Sequence, residues 1–266
     1  MGDSAVSGRE FNVKLGILVF SLEWRITLFT LLLVPALLWL GFWQLDRADE
    51  KRQLSEQFDR RIALPPLSLS DALVLADDRL DHLRDRRIRF QGTTSSEDYL
   101  LLDNRLHRGQ FGYEVITYVD TGAYRVPVNV GWLAGDPARR SLPDVALPSD
   151  PIMWTGRVYA PQERAYTLED QRIPETLPAV IQSYEAPEYA ETLSALFDKP
   201  VPDFMVRIDP SHPAALVADW PVVNQSPQKH RGYAVQWFAM AGVLVCAFVL
   251  RSSNIGLLLL GRRRPE

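Results

Sequence analysis

The stretch ITLFTLLLVPALLWLGFWQL, residues 26–45, decides the fold of this 266-residue chain. It contains 20 residues and no charge, and at ~1.5 Å per residue a helix of that length spans ~30 Å, the thickness of the bilayer hydrocarbon. A core helix of a soluble domain is the alternative, but such a helix normally carries a polar face. We therefore predict a transmembrane helix at 26–45, an uncleaved anchor that tolerates Pro35 inside the membrane.

A second uncharged stretch, GYAVQWFAMAGVLVCAFVL at 232–250, predicts another transmembrane helix. The residues between the two stretches, 46–231, carry 22 Lys and Arg against 29 Asp and Glu. This acidic balance gives no indication of nucleic-acid binding. The content of 47% hydrophobic and 23% charged residues excludes a disordered chain, so we expect the middle part to be a folded, water-facing domain.

The charges that flank the predicted helices indicate which side of the membrane each part occupies. The tail at 251–266 carries four Arg and one Glu, and positively charged flanks stay in the cytoplasm. The flanks of the first helix favour the opposite orientation, but long domains are translocated largely regardless of charge. We therefore expect the segment 1–25 and the basic tail to be cytoplasmic, and residues 46–231 to be extracytoplasmic.

The middle domain combines short strands with a few helices. Residues 46–61 hold good helix formers and should extend the first membrane helix into water, until Leu64-Pro65-Pro66 stops it. The predicted strands are 86–92, 98–103, 113–119, 124–132, 152–159 and 204–208, and the further predicted helices are 70–76 and 187–198. The predicted fold class is a membrane protein in which two transmembrane helices flank an extracytoplasmic, mostly antiparallel β (α+β) domain.

Local signals inside this domain predict turns and one irregular strand. Asp103-Asn104 is a turn pair that should end a strand, and residues 120–123 (DTGA) should close a hairpin. Gly109 and Gly112 are too close together for a phosphate-binding loop and predict a turn. Pro127 should make its strand an edge strand or a bulged one.

Motifs that carry enzyme chemistry are missing from the sequence. Cys246 is the single cysteine, which excludes an internal disulfide, haem attachment through C-x-x-C-H and thiol redox chemistry. The chain contains no G-x-S-x-G nucleophile elbow and no H-E-x-x-H. His82 lies in a charged stretch and is interpreted as a surface histidine. We therefore expect no catalytic residues and no enzyme activity.

Polar and aromatic residues gather at the membrane end of the first predicted helix. Trp39, Trp43 and Arg47 follow a spacing of i, i+4, i+8 and share one helical face. Gln44 lies just inside the apolar edge, where a polar side chain is costly and usually has a partner.

The second predicted helix begins with a similar group. His230, Tyr233 and Trp237 share one face, and Gln236 is a polar residue inside the apolar stretch. The predicted topology places both groups at the outer membrane interface. If the helices pack together, the two groups converge there.

Two interpretations of these groups stay open. Aromatic belts and basic flanks are routine at membrane interfaces. Alternatively, the groups form a binding site for a flat, apolar molecule with an anionic edge, such as a haem. Neutral His230 would then be the metal ligand, Trp43 and Trp237 would cover the ring, and Arg47 or Arg231 would pair with propionates.

Five segments, in order along nearly the whole chain, carry a family resemblance. They are LGFWQLDRADEK (40–51), GQFGYEVIT (109–117), PVNVGWLA (127–134), GRVYAP (156–161) and HRGYAVQWF (230–238). Together they resemble the motifs of the Surfeit locus protein 1 family, the cytochrome oxidase assembly family. The chain departs from the pattern at Val130, where that family usually has Arg, and at Lys229, where Asn is common.

The resemblance implies an assembly factor for haem–copper terminal oxidases that aids the handling or insertion of haem a. The implied partners are the catalytic subunit and other oxidase assembly factors, in the inner membrane of a bacterial-type cell. His230 matches the family histidine proposed to contact haem. The expected site is His230 as metal ligand with Tyr233, Trp237, Trp43, Gln44 and Arg47. A membrane scaffold or accessory subunit of a respiratory complex that binds no haem is the alternative, and an enzyme on a membrane tether is a third.

Overall fold

The computed structural model describes residues 10–15, 18–160, 174–220 and 226–255. The chain divides into two compact units, Met1–Glu56 with Val223–Glu266, and Gln57–Val222. The first is called the helix unit below and the second the sheet domain. Parts of the predicted cytoplasmic segment 1–25 and of the predicted tail 251–266 lie outside the described residues.

The described elements alternate between helices and short strands along the chain. In chain order they are β1 (Glu10–Leu15), β2 (Leu18–Glu23), α1 (Trp24–Ala63), β3 (Leu67–Ser68), α2 (Leu69–Leu83), β4 (Arg87–Gly92), β5 (Tyr99–His107), β6 (Gln110–Asp120), β7 (Arg125–Ala134), β8 (Ile152–Tyr159), β9 (Ala179–Ile181), α3 (Ala186–Phe197), β10 (Met205–Ile208) and α4 (Pro227–Ser252). The six predicted strands correspond to β4 to β8 and β10. Helix α2 extends beyond its predicted end at residue 76 because Leu80 and Leu83 continue its apolar face.

The two predicted membrane stretches lie within α1 and α4. Of the residues that the structure describes, these two helices are the ones long and apolar enough to cross a membrane. Helix α1 continues without a break to Ala63, as the helix formers at 46–61 predict. It ends just before Pro65, whose ring disfavours helical backbone in the residue that precedes it.

A hairpin that the sequence analysis did not predict precedes α1. Its strands, β1 and β2, pair antiparallel. Strand β2 also holds the end of α4, because Phe20 pairs with Ser253 and the N–H of Asn254 donates to the carbonyl oxygen of Val19 at 3.2 Å. The start of α1 and the end of α4 are therefore fixed to each other.

The sheet domain is built on one sheet, whose strand order among the described residues is β3-β4-β8-β10-β7-β6-β5-β9. Four of its seven described pairings are antiparallel, and three are parallel, namely β3 with β4, β7 with β10 and β5 with β9. The sheet is therefore mixed, and its longer pairings are antiparallel, as the sequence predicts. Each parallel pairing joins strands that are separated by a helix or by other strands, so no local turn in the sequence encodes their direction.

Each face of the sheet has its own apolar cluster. Leu101 of β5 belongs to one cluster and Leu100 to the other, as expected for neighbours on a strand whose side chains alternate between faces. Helix α2 adds Leu83 to the first cluster and α3 adds Leu193 to the second. Val130, which departs from the family pattern, is fully buried in the first cluster.

The predicted irregular positions take different forms in the structure. Strand β5 does not end at Asp103-Asn104, because the pair forms a bulge between Leu102 and Arg105 and the strand continues. The predicted turn at Gly109 is present, with positive φ angles at both Arg108 (51°) and Gly109 (80°), as a two-residue hairpin turn requires. Pro127 lies on a central strand whose pairing with β6 shifts register, so the strand is bulged rather than at an edge.

Asp120 at the end of β6 is held by several donors, and we expect its replacement to destabilise the sheet domain. Lys199 Nζ lies 2.8 and 2.9 Å from its carboxylate oxygens, and the N–H of Gly122 donates to Oδ1 at 2.8 Å. Burial raises the pKa of Asp120, but these bonds and the charge of Arg125 hold that pKa below its ordinary value. Asp120→Asn should therefore lower the free energy of unfolding by about 1–2 kcal/mol.

The effect of Asp120→Asn on stability should depend on pH. A carboxyl group whose pKa is lowered by folding stabilises the protein fully above its unfolded pKa of ~3.9, and the stabilisation is lost as the pH falls through the folded pKa. The stability difference between wild type and Asp120→Asn should thus be constant near neutral pH and shrink below about pH 4. Chemical unfolding followed by circular dichroism measures this, and the exposed Asp150→Asn serves as the control. A difference that grows on acidification contradicts the assignment.

Candidate functional site

The site lies in the helix unit, where a hydrogen bond joins α1 to α4. The Nδ1–H of His230 donates to Oε1 of Gln44 at 2.8 Å. Both side chains are half-buried. Because a neutral imidazole that donates from Nδ1 keeps the lone pair of Nε2, Nε2 of His230 is free to act as a metal ligand.

Small residues bring the two helices together around this bond. Gly41, Gln44 and Ala48 follow a spacing of i, i+3, i+7, which places them on one face of α1. Gly41 and Ala48 are buried, as are Ala234 and Ala241 on α4. Such residues let the backbones of two membrane helices approach closely.

Gly41 packs directly against Phe238 of α4. A Cβ atom built on Gly41 would lie 2.5 Å from Cε1 of Phe238, so no larger residue fits without a shift of the ring. The Phe238 ring also meets the ring of Phe42 edge-on, with 5.2 Å between the centroids, which is a favourable aromatic geometry. Since Gly41 precedes Gln44 whereas Phe238 follows His230, the two helices run antiparallel.

Arg47 and Trp43 lie one turn apart on α1. Cζ of Arg47 is 6.0 Å from the centroid of the Trp43 ring, at the outer limit of a cation–π contact. The guanidinium group also pairs with Glu50, and the two side chains are 47% and 48% exposed. Exposed ion pairs contribute little free energy, so another anion can replace Glu50 at small cost.

Tyr233 and Trp237 follow His230 on α4. Tyr233 is 50% exposed and Trp237 is half-buried. Among the ring contacts of the described residues, none joins either of them to Trp43. The structure thus brings His230 and Gln44 together and places Arg47 beside Trp43, but it shows no described ring contact between Trp43 and either Tyr233 or Trp237. Their roles in a binding site stay predictions.

The glutamines of the two apolar helices differ in their surroundings. Gln44 has the partner that a polar group in an apolar helix is expected to have, whereas Gln236 is exposed and has no described partner within the chain. Sequence reasoning named Gln44 and His230 separately and missed the pairing between them. It also missed Gly41 and Phe238, for which the available signal was a glycine inside a run of large apolar residues.

The fold and these contacts define the class of the protein. Two long apolar helices flank a mixed β-sheet domain along the chain, a layout that fits a membrane protein. The model of the SURF1 family matches residues 31–242, and the chain belongs to this family. The resemblance noted in the sequence is thereby confirmed.

The family is linked to cytochrome oxidase assembly, and its members are assembly factors rather than known enzymes. Comparison with curated protein sequences gives no match.

Proposed function

We propose that this protein is an assembly factor for a haem–copper terminal oxidase, and that it holds haem a transiently and aids its insertion into the catalytic subunit. The observation that carries the proposal is the hydrogen bond between Gln44 and His230. Family membership supports the link to oxidase assembly. Haem is the cargo in this proposal, so the protein has to bind it and also release it.

The donor set in the helix unit suits a haem better than a bare metal ion. Among the described residues there is no group of three His, Cys, Asp or Glu side chains that could hold a metal ion. A porphyrin supplies four of the ligands of its own iron, so the protein would need to supply only one more. His230 would supply that ligand through Nε2, and Gln44 would fix the ring orientation and the tautomer of the imidazole.

The other predicted residues have supporting roles. Arg47, whose present partner Glu50 is exposed, is suited to pair with a propionate. Arg231, next to His230 and also exposed, offers a second cation. Trp43, Tyr233 and Trp237 provide apolar surface for the macrocycle. Weak, exchangeable contacts of this kind favour transfer over permanent retention.

The location in the cell is part of the same proposal. The predicted topology has both termini in the cytoplasm and the sheet domain outside it, in the inner membrane of a bacterial-type cell. Fusion of a reporter that is active only in the cytoplasm to residue 266 and to a loop of the sheet domain tests this orientation. Activity at the terminus and none in the loop is the expected result, and the reverse pattern contradicts it.

The role of Gln44 gives the most direct test of the site. Gln44→Leu removes the acceptor for Nδ1–H of His230 and should weaken haem binding by about 10–100-fold, the usual effect of losing such a support. Gln44→Glu keeps an acceptor at the same place and should retain binding. Haem content is measured from the absorption spectrum of protein co-expressed with haem a synthesis, and the iron–histidine stretching band in resonance Raman spectra reports on the ligand itself.

A structural role alone predicts a different pattern. If Gln44 only stabilises the fold, Gln44→Leu should lower the yield of folded protein, but the iron–histidine band of the protein that folds should keep its wild-type frequency. Wild-type affinity and band position in Gln44→Leu would remove the proposed role of this residue. Absence of haem from the wild type at every level of haem supply would instead favour a scaffold that binds no haem.

A further inference from the structure

Three arginines stand side by side across the sheet domain. Arg87 on β4 lies directly opposite Arg157 on β8, and Arg157 lies directly opposite Arg207 on β10. Residues paired in this way point to the same face of a sheet, and like charges so placed repel each other. Burial lowers the pKa of both Arg157 and Arg207, and the charge of Arg207 lowers that of Arg157 further. The repulsion within this row of arginines therefore destabilises the folded state.

The carboxylates near this row make only loose pairs. Arg157 lies 3.6 Å from Asp85, and Arg87 lies 3.7 Å from Asp209, beyond the ~2.7–2.9 Å of a charge-assisted hydrogen bond. Arg207 has no carboxylate within ion-pair distance among the described residues, and its buried Nε has no acceptor. The positive charge of the row is thus incompletely matched at short range.

Other arginines of the same domain are paired closely. Arg125 donates to Asp98 at 3.0 Å, and Arg139 donates to Asp103 at 2.7 Å. Within the described residues, the side chains of the row donate a single hydrogen bond, from Nη2 of Arg157 to the carbonyl oxygen of Trp220 at 3.3 Å. Most of the N–H donors of these three guanidinium groups therefore have no acceptor among the residues that the structure describes.

A cavity of about 480 Å³ opens beside the row. Arg87 and Arg157 line it together with the apolar side chains of Phe58, Ile62 and Trp220. The Phe58 ring lies 4.7 Å from Cζ of Arg157. Two carboxylates, Asp209 and Asp219, also line the cavity. It thus combines two cations and two carboxylates with apolar and aromatic walls, and its size is that of a small-molecule site.

Stacking fixes the third arginine of the row next to this cavity. Cζ of Arg207 lies 3.6 Å from the centroid of the Tyr159 ring and 4.9 Å from that of the Trp220 ring. Because Trp220 also lines the cavity, Arg207 adds positive charge directly behind its wall. Such stacking orients a guanidinium group without using its hydrogen-bond donors.

We infer that this cavity binds an oxyanion, a carboxylate or a phosphate, that is carried on a small apolar body. The oxyanion accepts hydrogen bonds from the guanidinium groups of Arg87 and Arg157, and the apolar body packs against Phe58, Ile62 and Trp220. Asp209, which also lines the cavity, competes for Arg87 and is displaced from it on binding. This site is independent of the proposed haem function, because it uses none of the residues around His230.

Phenyl phosphate is a suitable probe, titrated by calorimetry into the full chain in nanodiscs of phosphatidylcholine. We expect it to bind about ten-fold more tightly than inorganic phosphate, because the phenyl ring buries apolar surface. Arg87→Gln and Arg157→Gln should each weaken binding at least about ten-fold. Asp209→Asn should strengthen binding by about three-fold, because it removes the competing charge.

Arg89→Gln is the matched control, since Arg89 lies on the same strand as Arg87 and is exposed. It should leave binding unchanged. Arg87 is 42% exposed, so its variant is expected to fold even if Arg157→Gln does not. Equal losses in Arg87→Gln and Arg89→Gln would overturn the proposal, because they would indicate general charge attraction rather than a site.

A second arm separates a soluble ligand from a lipid headgroup. Phenylglyoxal modifies accessible arginines, and peptide mass spectrometry reports the extent at Arg157. Protection by phosphatidylglycerol in the nanodisc, without phenyl phosphate, assigns the oxyanion to a lipid. Protection by phenyl phosphate alone assigns it to a soluble molecule. The inference would be overturned if millimolar phenyl phosphate gave no binding heat and Arg157 were protected by neither ligand.

Discussion

His230→Ala is expected to remove haem from the purified protein and to lower the amount of assembled oxidase, each by at least about ten-fold. The alanine removes both Nε2, the proposed iron ligand, and the Nδ1–H that donates to Gln44. Loss of a metal ligand should lower the affinity by more than the 10–100-fold that follows the loss of the residue that hydrogen-bonds to it. The absorption spectrum of purified protein gives the haem content, and the visible spectrum of isolated membranes gives the amount of assembled oxidase.

His82→Ala is the matched control for this prediction. His82 is an exposed histidine of the sheet domain, so its loss should change neither quantity. Assembled oxidase that falls in His230→Ala while the haem content of the purified protein stays unchanged would contradict haem ligation. It would leave His230 as a contact to a partner protein.

Gly41→Leu is expected to separate α1 from α4 and to lower haem content as strongly as His230→Ala does. Any side chain at residue 41 meets the Phe238 ring, since even a Cβ atom comes within 2.5 Å of it. Overpacking of a tight contact costs about 1–3 kcal/mol, which is comparable to what a helix–helix contact in a membrane contributes. Disulfide formation between cysteines at 44 and 230, in a Cys246→Ser background, measures the pairing directly and should fall several-fold.

Two variants test the cause of that effect. Gly242→Leu places the same side chain on α4, where a Cβ atom meets nothing within 4 Å, and should be neutral. Phe238→Ala, combined with Gly41→Leu, makes room for the leucine and should restore part of the cross-linking. Equal losses from Gly41→Leu and Gly242→Leu would mean that insertion or expression fails, and that the tight contact is not responsible.

Local patterns in the sequence were sufficient for most elements. The two apolar stretches and the alternation of polar and apolar residues in 86–92 depend on neighbouring residues alone, and α1, α4 and β4 lie where these patterns predict. The hairpin turn at Gly109 is equally local. The mixed character of the sheet could not be derived in this way, because β7 and β10 pair in parallel although two strands and a helix lie between them in the chain.

The site was predictable as a list of residues but not as a set of contacts. Gln44 and His230 were singled out because polar groups near apolar helix ends are costly, yet 186 positions separate them and nothing local specifies that they meet. The same holds for Arg87, Arg157 and Arg207, which look like ordinary strand residues until the register aligns them. Register between distant strands is set by the packing of the whole domain, which short sequence windows do not encode.

The attachment of Ser253 to Phe20 limits how α1 and α4 move. Ser253 lies 23 residues after His230, so the two points where α4 is fastened are about 34 Å apart along the helix. Helices fastened at both ends cannot slide past each other, so in the predicted membrane topology a thicker or thinner bilayer should make them tilt as one body. We therefore expect the distance between Gln44 and His230 to be insensitive to lipid composition.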